Sequence, residues 1–470
     1  MKIKDISINS VIEDAEQLLG KDKSISPAIK ATMKMMVMVI KLLTDRLNIN
    51  SSNSSKPPSE DKNRKRGSNK QKSGKKPGGQ IGHIGTKLKK VADPDEVEEI
   101  KIDRRRLPKG KYKEVGHEVR QVFDINISRV VTEYRAQILE DQNGRRFIAE
   151  FPEGIKAEVQ YGIGVKANAV YSSQFQLLPY QRIQDQFADQ LSLPLSTGSL
   201  FNFNKEAYKL LEYFDNFVKQ QLAGSKLAHV DETGINVNKK GHWLHCASNE
   251  KWTYFYPHKK RGSEATDEIG ILPKFTGVLC HDHWKAYYKY KCTHSLCNAH
   301  HKRELTRAEE QDNQSWAKLM KKLLLKINKT VDDAGGCINK ERATYFRKRY
   351  RVILKNAEKE CPAPKRKEGQ KGRLKRSVSR NLLERLRKYE DDVLRFMEND
   401  FVPFTNNPGE NDLRMTKVQQ KISGCFRSMD GAYIFCRIRG YLSTCRKNNI
   451  GPTEALRLLF EGKMPDFVRN

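Results

Sequence analysis

The sequence predicts a multidomain α/β protein, and three observations carry that prediction. At 470 residues the chain is about three times the length of one typical domain, so two to four domains are expected. A Ser/Asn/Pro/Gly/Lys-rich stretch, 48–90, separates a helical N-terminus from the remainder. Between 226 and 305, three strand patterns are followed by a helix, an apolar strand and further helix, the succession of a mixed sheet with helices on its faces.

Taken in order, residues 1–47 form a helical segment. Ile29, Met33, Met36, Ile40, Leu43 and Leu47 recur at steps of four and three behind a Ser26 cap and Pro27, the spacing of a coiled-coil seam. Self-association and packing on its own domain both fit that seam. Residues 48–90 read as a disordered basic linker, since no core can form there. Lys62 to Lys90 holds eleven Lys/Arg and no acid or aromatic, and Lys62, Arg64, Lys65, Arg66, Lys75 and Lys76 are expected to touch phosphates without reading bases. Residues 91–160 predict a small β-rich module: Phe123, Ile125 and Ile127 alternate, and Asn143-Gly144 is a hairpin turn signal. Residues 161–225 are helical, with Ile183, Phe187, Leu191, Leu195, Leu200 and Phe203 as core positions. Their spacing matches a helix-turn-helix, and a plain helical hairpin fits equally well.

In 226–300, Leu227 to Val230 runs into Asp231, Gly241–Ser248 and Trp252–His258 read as strands, Glu264–Phe275 as a helix, and Gly277–Cys280 as a strand ended by His281-Asp282-His283. Residues 301–400 are basic and helical, with one apolar stripe at Leu319, Leu323 and Ile327 and another at Leu382, Leu383, Leu386 and Tyr389. Residues 401–470 are helical, with Glu410 near the start.

Charge narrows the function. There are 88 Lys+Arg against 57 Asp+Glu, a formal +31, which argues against an ordinary metabolic enzyme and for a polyanionic partner. No apolar run approaches the ~20 residues of a membrane span. Acids occupy the first twenty residues where a secretory signal would be apolar, so a cytoplasmic location is expected. All nine cysteines lie at or after Cys246 at irregular spacings, a pattern of reduced thiols.

Metal-dependent phosphoryl transfer needs carboxylates converging on divalent cations. Asp231 ends one apolar strand, Asp282 follows another, and Glu410 opens a polar helix. Glu232 competes with Asp231, and Glu398 and Asp400 compete with Glu410; spacing does not choose among them. Arg414, Lys417 and Lys421 follow Glu410 near one helical stripe and could hold a phosphate backbone. Cys292, His294, Cys297 and His300 are spaced as C-x-H-x₂-C-x₂-H. A strand into Cys297 and a helix from His300 would keep the four from converging, so zinc is not expected; His300 and Arg303 are read as structural or substrate-positioning, with Arg303 also an expected DNA contact. Trp243, Tyr254 and Tyr256 read as core or sheet-face residues, and Trp284, two residues after Asp282, as core or as a platform for a displaced base.

The words SSNSSKPPSED, GKKPGGQIGH, HVDETG, CNAHHKREL, NLLERLRKYE, DFVPFTNNPGENDLRM and KVQQKISGCFRS resemble those of the insertion-sequence sixty-six family of bacterial transposases, in the family's order. The resemblance implies a ribonuclease-H-like DDE transposase whose catalytic and metal-binding triad maps onto Asp231, Asp282 and Glu410. It also implies two Mg²⁺ (or Mn²⁺) ions, double-stranded DNA as element ends and target, and a nucleoid-associated place in a bacterial cytoplasm. By the same analogy 226–300 is the first part of the core, 301–400 a helical insertion within it, and 401–470 the part carrying the last acid. Hydrolytic cutting at the element's ends would be followed by attack of the freed 3′-hydroxyl on the target. A homodimer or higher oligomer is expected because two ends must meet, and small accessory proteins of the same element are a further expected partner. The family's zinc-ribbon-like module would fall in 91–160, here without its cysteines. Thr405-Asn406-Asn407 and Pro408-Gly409 stand where the family commonly has Asp-Asn-Asn and a helix-forming pair. A catalytically decayed repressor of the element, or a structure-specific nuclease without strand transfer, are the alternatives.

Overall fold

The computed structural model describes residues 2–3, 6–21, 24–54, 61, 88–364, 372 and 374–468. The expected phosphate contacts Lys62, Arg64, Lys65, Arg66, Lys75 and Lys76 lie outside the described residues. Contacts divide the chain into two units: Lys65–Thr132, and Met1–Arg64 together with Glu133–Asn470.

At the N-terminus a two-residue ladder, β1 (Lys2–Ile3) with β2 (Ile6–Ser7), leads into a helical hairpin of α1 (Ile8–Lys21) and α2 (Pro27–Leu47). Ser26 Oγ accepts from the Ile29 amide at 3.4 Å and Pro27 occupies the first helical position, the expected cap. Ile29, Met33, Met36, Ile40, Leu43 and Leu47 are all exposed, with Met33 and Met36 bordering a cleft shared with Leu18 and Leu19 of α1.

The described part of the smaller unit, 88–132, is irregular chain with one 3₁₀ turn at Arg104–Arg106 capped by Asp103. Phe123, Ile125 and Ile127, expected in strands, form no ladder and are exposed. Across 91–160 the strands are only β3 (Ile138–Glu140) and β4 (Arg146–Ile148), antiparallel about Asn143-Gly144. The alternation there is genuine, but the residues meet no second apolar layer, and an isolated hairpin is marginal in water.

The helices α3 (Ile163–Val170), α4 (Tyr180–Leu191), α5 (Thr197–Leu210) and α6 (Glu212–Ala223) follow. Ile183, Phe187, Leu195, Leu200 and Phe203 are buried as expected, in the core these helices share with the sheet.

Five strands make the mixed sheet: β5 (Leu227–Val237), β6 (Lys240–Ser248), β7 (Thr253–His258), β8 (Val278–His281) and β9 (Thr293–Leu296). Their order is β7-β6-β5-β8-β9, antiparallel on the β6 side of β5 and parallel on the β8 side. Asn238 and Lys239 link β5 to β6 with φ of 47° and 62°, the left-handed pair of a tight two-residue hairpin. Gly277 permits β8 to enter beside β5, because a Cβ there would sit 2.4 Å from the Ser225 carbonyl oxygen. Helix α7 (Ser263–Ile269) is shorter than expected; Gly270, at φ 76°, closes it and a 3₁₀ turn containing Pro273 follows.

Beyond β9 come α8 (Asn298–Gln311), α9 (Ser315–Asp333), α10 (Lys340–Glu360), α11 (Val378–Lys388) and α12 (Glu390–Leu394), then α13 (Asn407–Ser423), α14 (Met429–Lys447) and α15 (Pro452–Phe460). One sheet-lined core joins Ala228, Val230, Ala247 and Leu279 to α3–α6, α14 and α15. A second joins Val278 and Leu296 to α8–α12. The expected α9 stripe shifts: Leu319 is 53% exposed, while Trp316, Met320, Leu323, Leu324, Ile327 and Val331 point inward. Leu382, Leu383 and Leu386 are buried as expected.

Candidate active site

On the parallel pair β5/β8, His229 stands opposite Cys280. Asp231 and Asp282 each lie two residues further along, so strand periodicity brings both acids to one sheet end and one side. The Glu232 amide donates to Asp231 Oδ1 at 2.9 Å, and the Trp284 amide donates to Asp282 Oδ1 at 3.0 Å. Glu410 arrives in the first turn of α13, which packs across β5 and β6.

Of the three acids, Asp231 feels the charge of the other two. Burial, reinforced by the charges of Glu232, Asp282 and Glu410, pushes the Asp231 carboxyl well above the usual carboxylate range. They do not close on a single point, however. Among the described residues, the one group of three or more His, Cys, Asp or Glu ligand atoms all within 4.8 Å of one another is Cys297, His300 and Glu410. Cys297 Sγ lies 3.9 Å from Glu410 Oε1, His300 Nδ1 3.8 Å from the same oxygen, and Arg303 Nη2 3.9 Å from Oε2. Burial pushes the Cys297 thiol up to about 11 and holds the His300 imidazole below its ordinary value.

Asn406, 1% exposed, sets where Glu410 stands. His229 Nδ1 donates to its Oδ1 at 2.7 Å, its Nδ2 donates to the Val230 carbonyl at 2.9 Å, and its amide donates to Cys297 Sγ at 3.1 Å. Its own carbonyl accepts from the Glu410 amide at 3.2 Å. One side chain thus ties the strand before Asp231 to the helix start before Glu410. Pro408 falls in the first turn of α13, where a missing N–H leaves no bond unmade. Gly409 allows the close approach: a Cβ there would already lie 3.3 Å from His229 Cβ.

The competing acids have other partners. Glu232, whose side chain is 1% exposed, accepts from Arg261 Nε and Nη2 at 2.8 and 2.6 Å and from Tyr287 OH at 2.5 Å. Glu398 accepts from Arg347 at 2.9 Å within the α8–α12 region, and Asp400 packs against Gly336.

Residues 158–434 match the model of the Transposase IS66 family, more than half of the chain. The chain belongs to that transposase family. Residues 4–89 match a second family model, one of unknown function (DUF6444). A 66-residue stretch is 38% identical to an uncharacterized protein of Sinorhizobium fredii, covering 14% of this chain and 21% of that relative; the match spans about a fifth of the curated relative's length.

Within this IS66-family chain, the remaining candidates scatter. Arg414, Lys417 and Lys421 are exposed on α13, and Lys417 Nζ also donates to the Gly234 carbonyl at 2.8 Å. Arg303 stands beside Glu410 rather than on an outer face. Of the four spaced Cys/His residues, Cys292 Sγ lies 4.0 Å from His294 Nε2, while Cys297 and His300 turn to Glu410. Sequence reasoning missed Arg261, stacked between Trp243 and Trp284 at 4.8 and 4.9 Å; its only signal was a basic run after β7 that reads as a solvated loop. It also missed the linking role of Asn406. No helix among the described residues is long and apolar enough to cross a membrane.

Proposed function

We propose that the chain cuts the ends of a bacterial insertion sequence and joins the freed 3′-hydroxyl to target DNA, with Asp231, Asp282 and Glu410 as the catalytic acids of a ribonuclease-H-like core. The observation that carries this reading is the position of Asp231 and Asp282, each two residues past the parallel partners His229 and Cys280, with Glu410 close enough for its charge to act on Asp231.

The donor set fits Mg²⁺ or Mn²⁺: three carboxylates offer hard oxygen ligands, and Asp231, raised first by burial and then by the neighbouring acids, sits among them. When bound, two such ions supply Lewis-acid charge to the attacking and leaving oxygens of an in-line displacement. Asp231 and Asp282 hold from the sheet and Glu410 from α13, with Asn406 fixing the gap between them. Arg414 and Lys421 supply phosphate contacts along α13. On this reading α8–α12 is an insertion between the second and third acids. The exposed α2 seam supports a homodimer or higher assembly that brings two ends together, and accessory proteins of the same element would act with it.

The test is a cleavage and strand-transfer assay with Mg²⁺ or Mn²⁺, on labelled duplex carrying the gene's own flanking ends. Joined products are expected from the wild type and absent from Asp282→Asn. Equal joining by both proteins would remove Asp282 from the reaction.

A further inference from the structure

Cys297, His300 and Glu410 hold three different ligand atoms in one small volume. Cys297 occupies the N-cap position of α8, His300 sits in that helix's first turn, and Glu410 sits in the first turn of α13. An ion bound tetrahedrally at about 2.0–2.3 Å keeps its ligands roughly 3.3–3.8 Å apart. The Sγ–Oε1 separation of 3.9 Å and the Nδ1–Oε1 separation of 3.8 Å need only a small inward shift to match. His300 Nδ1 is buried and makes no hydrogen bond, so the ring nitrogen facing Glu410 has a coordination place that an ion would fill. The Asn406 amide already donates to Cys297 Sγ at 3.1 Å, the outer support that orients a thiolate ligand.

We propose that Cys297, His300 and Glu410 form a site for a thiolate-preferring divalent ion of the Zn²⁺ class, separate in ligand chemistry from the all-carboxylate set and sharing Glu410 with it. Sulfur and imidazole select such an ion, whereas Mg²⁺ favours oxygen. On binding, the Cys297 thiol releases its proton to solvent as the S–metal bond forms, with no change of oxidation state. Three protein ligands leave a fourth position open. Occupation draws Glu410 toward Cys297 and His300 and away from Asp231 and Asp282, so Zn²⁺ antagonises Mg²⁺-dependent cutting. This antagonism rests on the catalytic reading of Glu410; the binding site does not.

The experiment is a Co²⁺ titration of the full-length metal-free protein. The expected result is a thiolate-to-Co²⁺ charge-transfer band saturating at one equivalent, lost in Cys297→Ser and kept in Cys292→Ser and Asp231→Asn. His300→Gln keeps the sulfur but should weaken Co²⁺ binding at least about tenfold, and it guards against a Cys297→Ser protein that fails to fold. No band in the wild type, or a band that persists in Cys297→Ser, overturns the site. In the cleavage assay, the Zn²⁺ concentration for half-inhibition should rise at least about tenfold in His300→Gln; an unchanged value overturns the sharing of Glu410. A wild type that never cuts defeats the transposition reading instead, and the Co²⁺ spectra still decide the site.

Discussion

The sheet layer and the α8–α12 region are both well packed, yet they are built from different materials. The sheet and the elements against it bury His229, Glu232, His245, His281 and Asn406. The α8–α12 core is Trp316, Met320, Leu323, Ile327, Phe346, Tyr350, Leu354 and Leu383, and its few buried ions are paired, Arg380 with Glu358 and Glu384 and Arg347 with Glu390. Apolar burial stabilises without needing exact partners. A buried polar group stabilises only when its hydrogen bonds are made, and leaving one unmade costs about 1–3 kcal/mol. The helical region can therefore serve as scaffold, while the sheet layer accepts a less favourable interior in exchange for fixed directions at the acids.

That contrast yields ordered expectations. The largest effect belongs to Asp231→Asn and Asp282→Asn, which should lower cutting by on the order of 10²–10³-fold, as for a group that stabilises charge at the reacting centre, with duplex binding unchanged in a gel-shift titration. Because the folded Asp231 carboxyl is held above its ordinary value, its charge opposes folding at neutral pH. Asp231→Asn should thus also raise the melting temperature of the metal-free protein; a lower value would break the link between charge crowding and site. Trp316→Ala should do the opposite, costing about 3–5 kcal/mol in denaturant unfolding while the folded fraction cuts normally. A catalytic defect in that folded fraction would erase the distinction between scaffold and site.

Asn406→Ala sharpens it further. It leaves a donor on His229 and the Val230 carbonyl without their partner, and activity should fall about 10–100-fold, the range for groups that orient ligands, with a matching rise in half-saturating Mg²⁺. Loss of folded protein alone would lower the amplitude and leave that half-point in place. A smaller effect concerns acid. Burial lowers the His245 imidazole from 6.5 to about 4, so the unfolded chain binds the extra proton between those values. Stability is full above about 6.5 and is lost as pH falls toward 4, and unfolding titrations of His245→Gln should show a flatter dependence in that window. Smallest is the DNA contact: Arg414→Ala or Lys421→Ala should each reduce the salt slope of duplex binding by about one. No change in slope would take α13 out of the DNA interface.

Parts of this arrangement are legible in the residues. The strands from Leu227 to His258 show in their alternation because a core awaits them on the sheet, and Ile183, Phe187 and Leu200 show as helical core for the same reason. The alternation at Phe123, Ile125 and Ile127 is similar on paper and produces no ladder, because pattern reports which face could be buried and not whether anything covers it. Leu319 fits a stripe with Leu323 and Ile327 yet points to solvent, since the direction of α9 is set by Trp316 and Met320.

By itself the sequence determined the basic charge, the order of helices and strands from 161 to 281, and the family words around Asp231, Asp282 and Glu410, all of which are local or compositional. Only the tertiary structure decided that Glu232 is taken by Arg261 and Tyr287, that Glu398 pairs with Arg347, and that Cys297 and His300 meet Glu410 rather than Cys292 and His294. Periodicity fixes what a residue can bury within its own element. Which side chains converge from distant elements depends on backbone approach and on hydrogen bonds across them, here the contact Gly409 permits against His229 and the bonds Asn406 makes to β5 and Cys297.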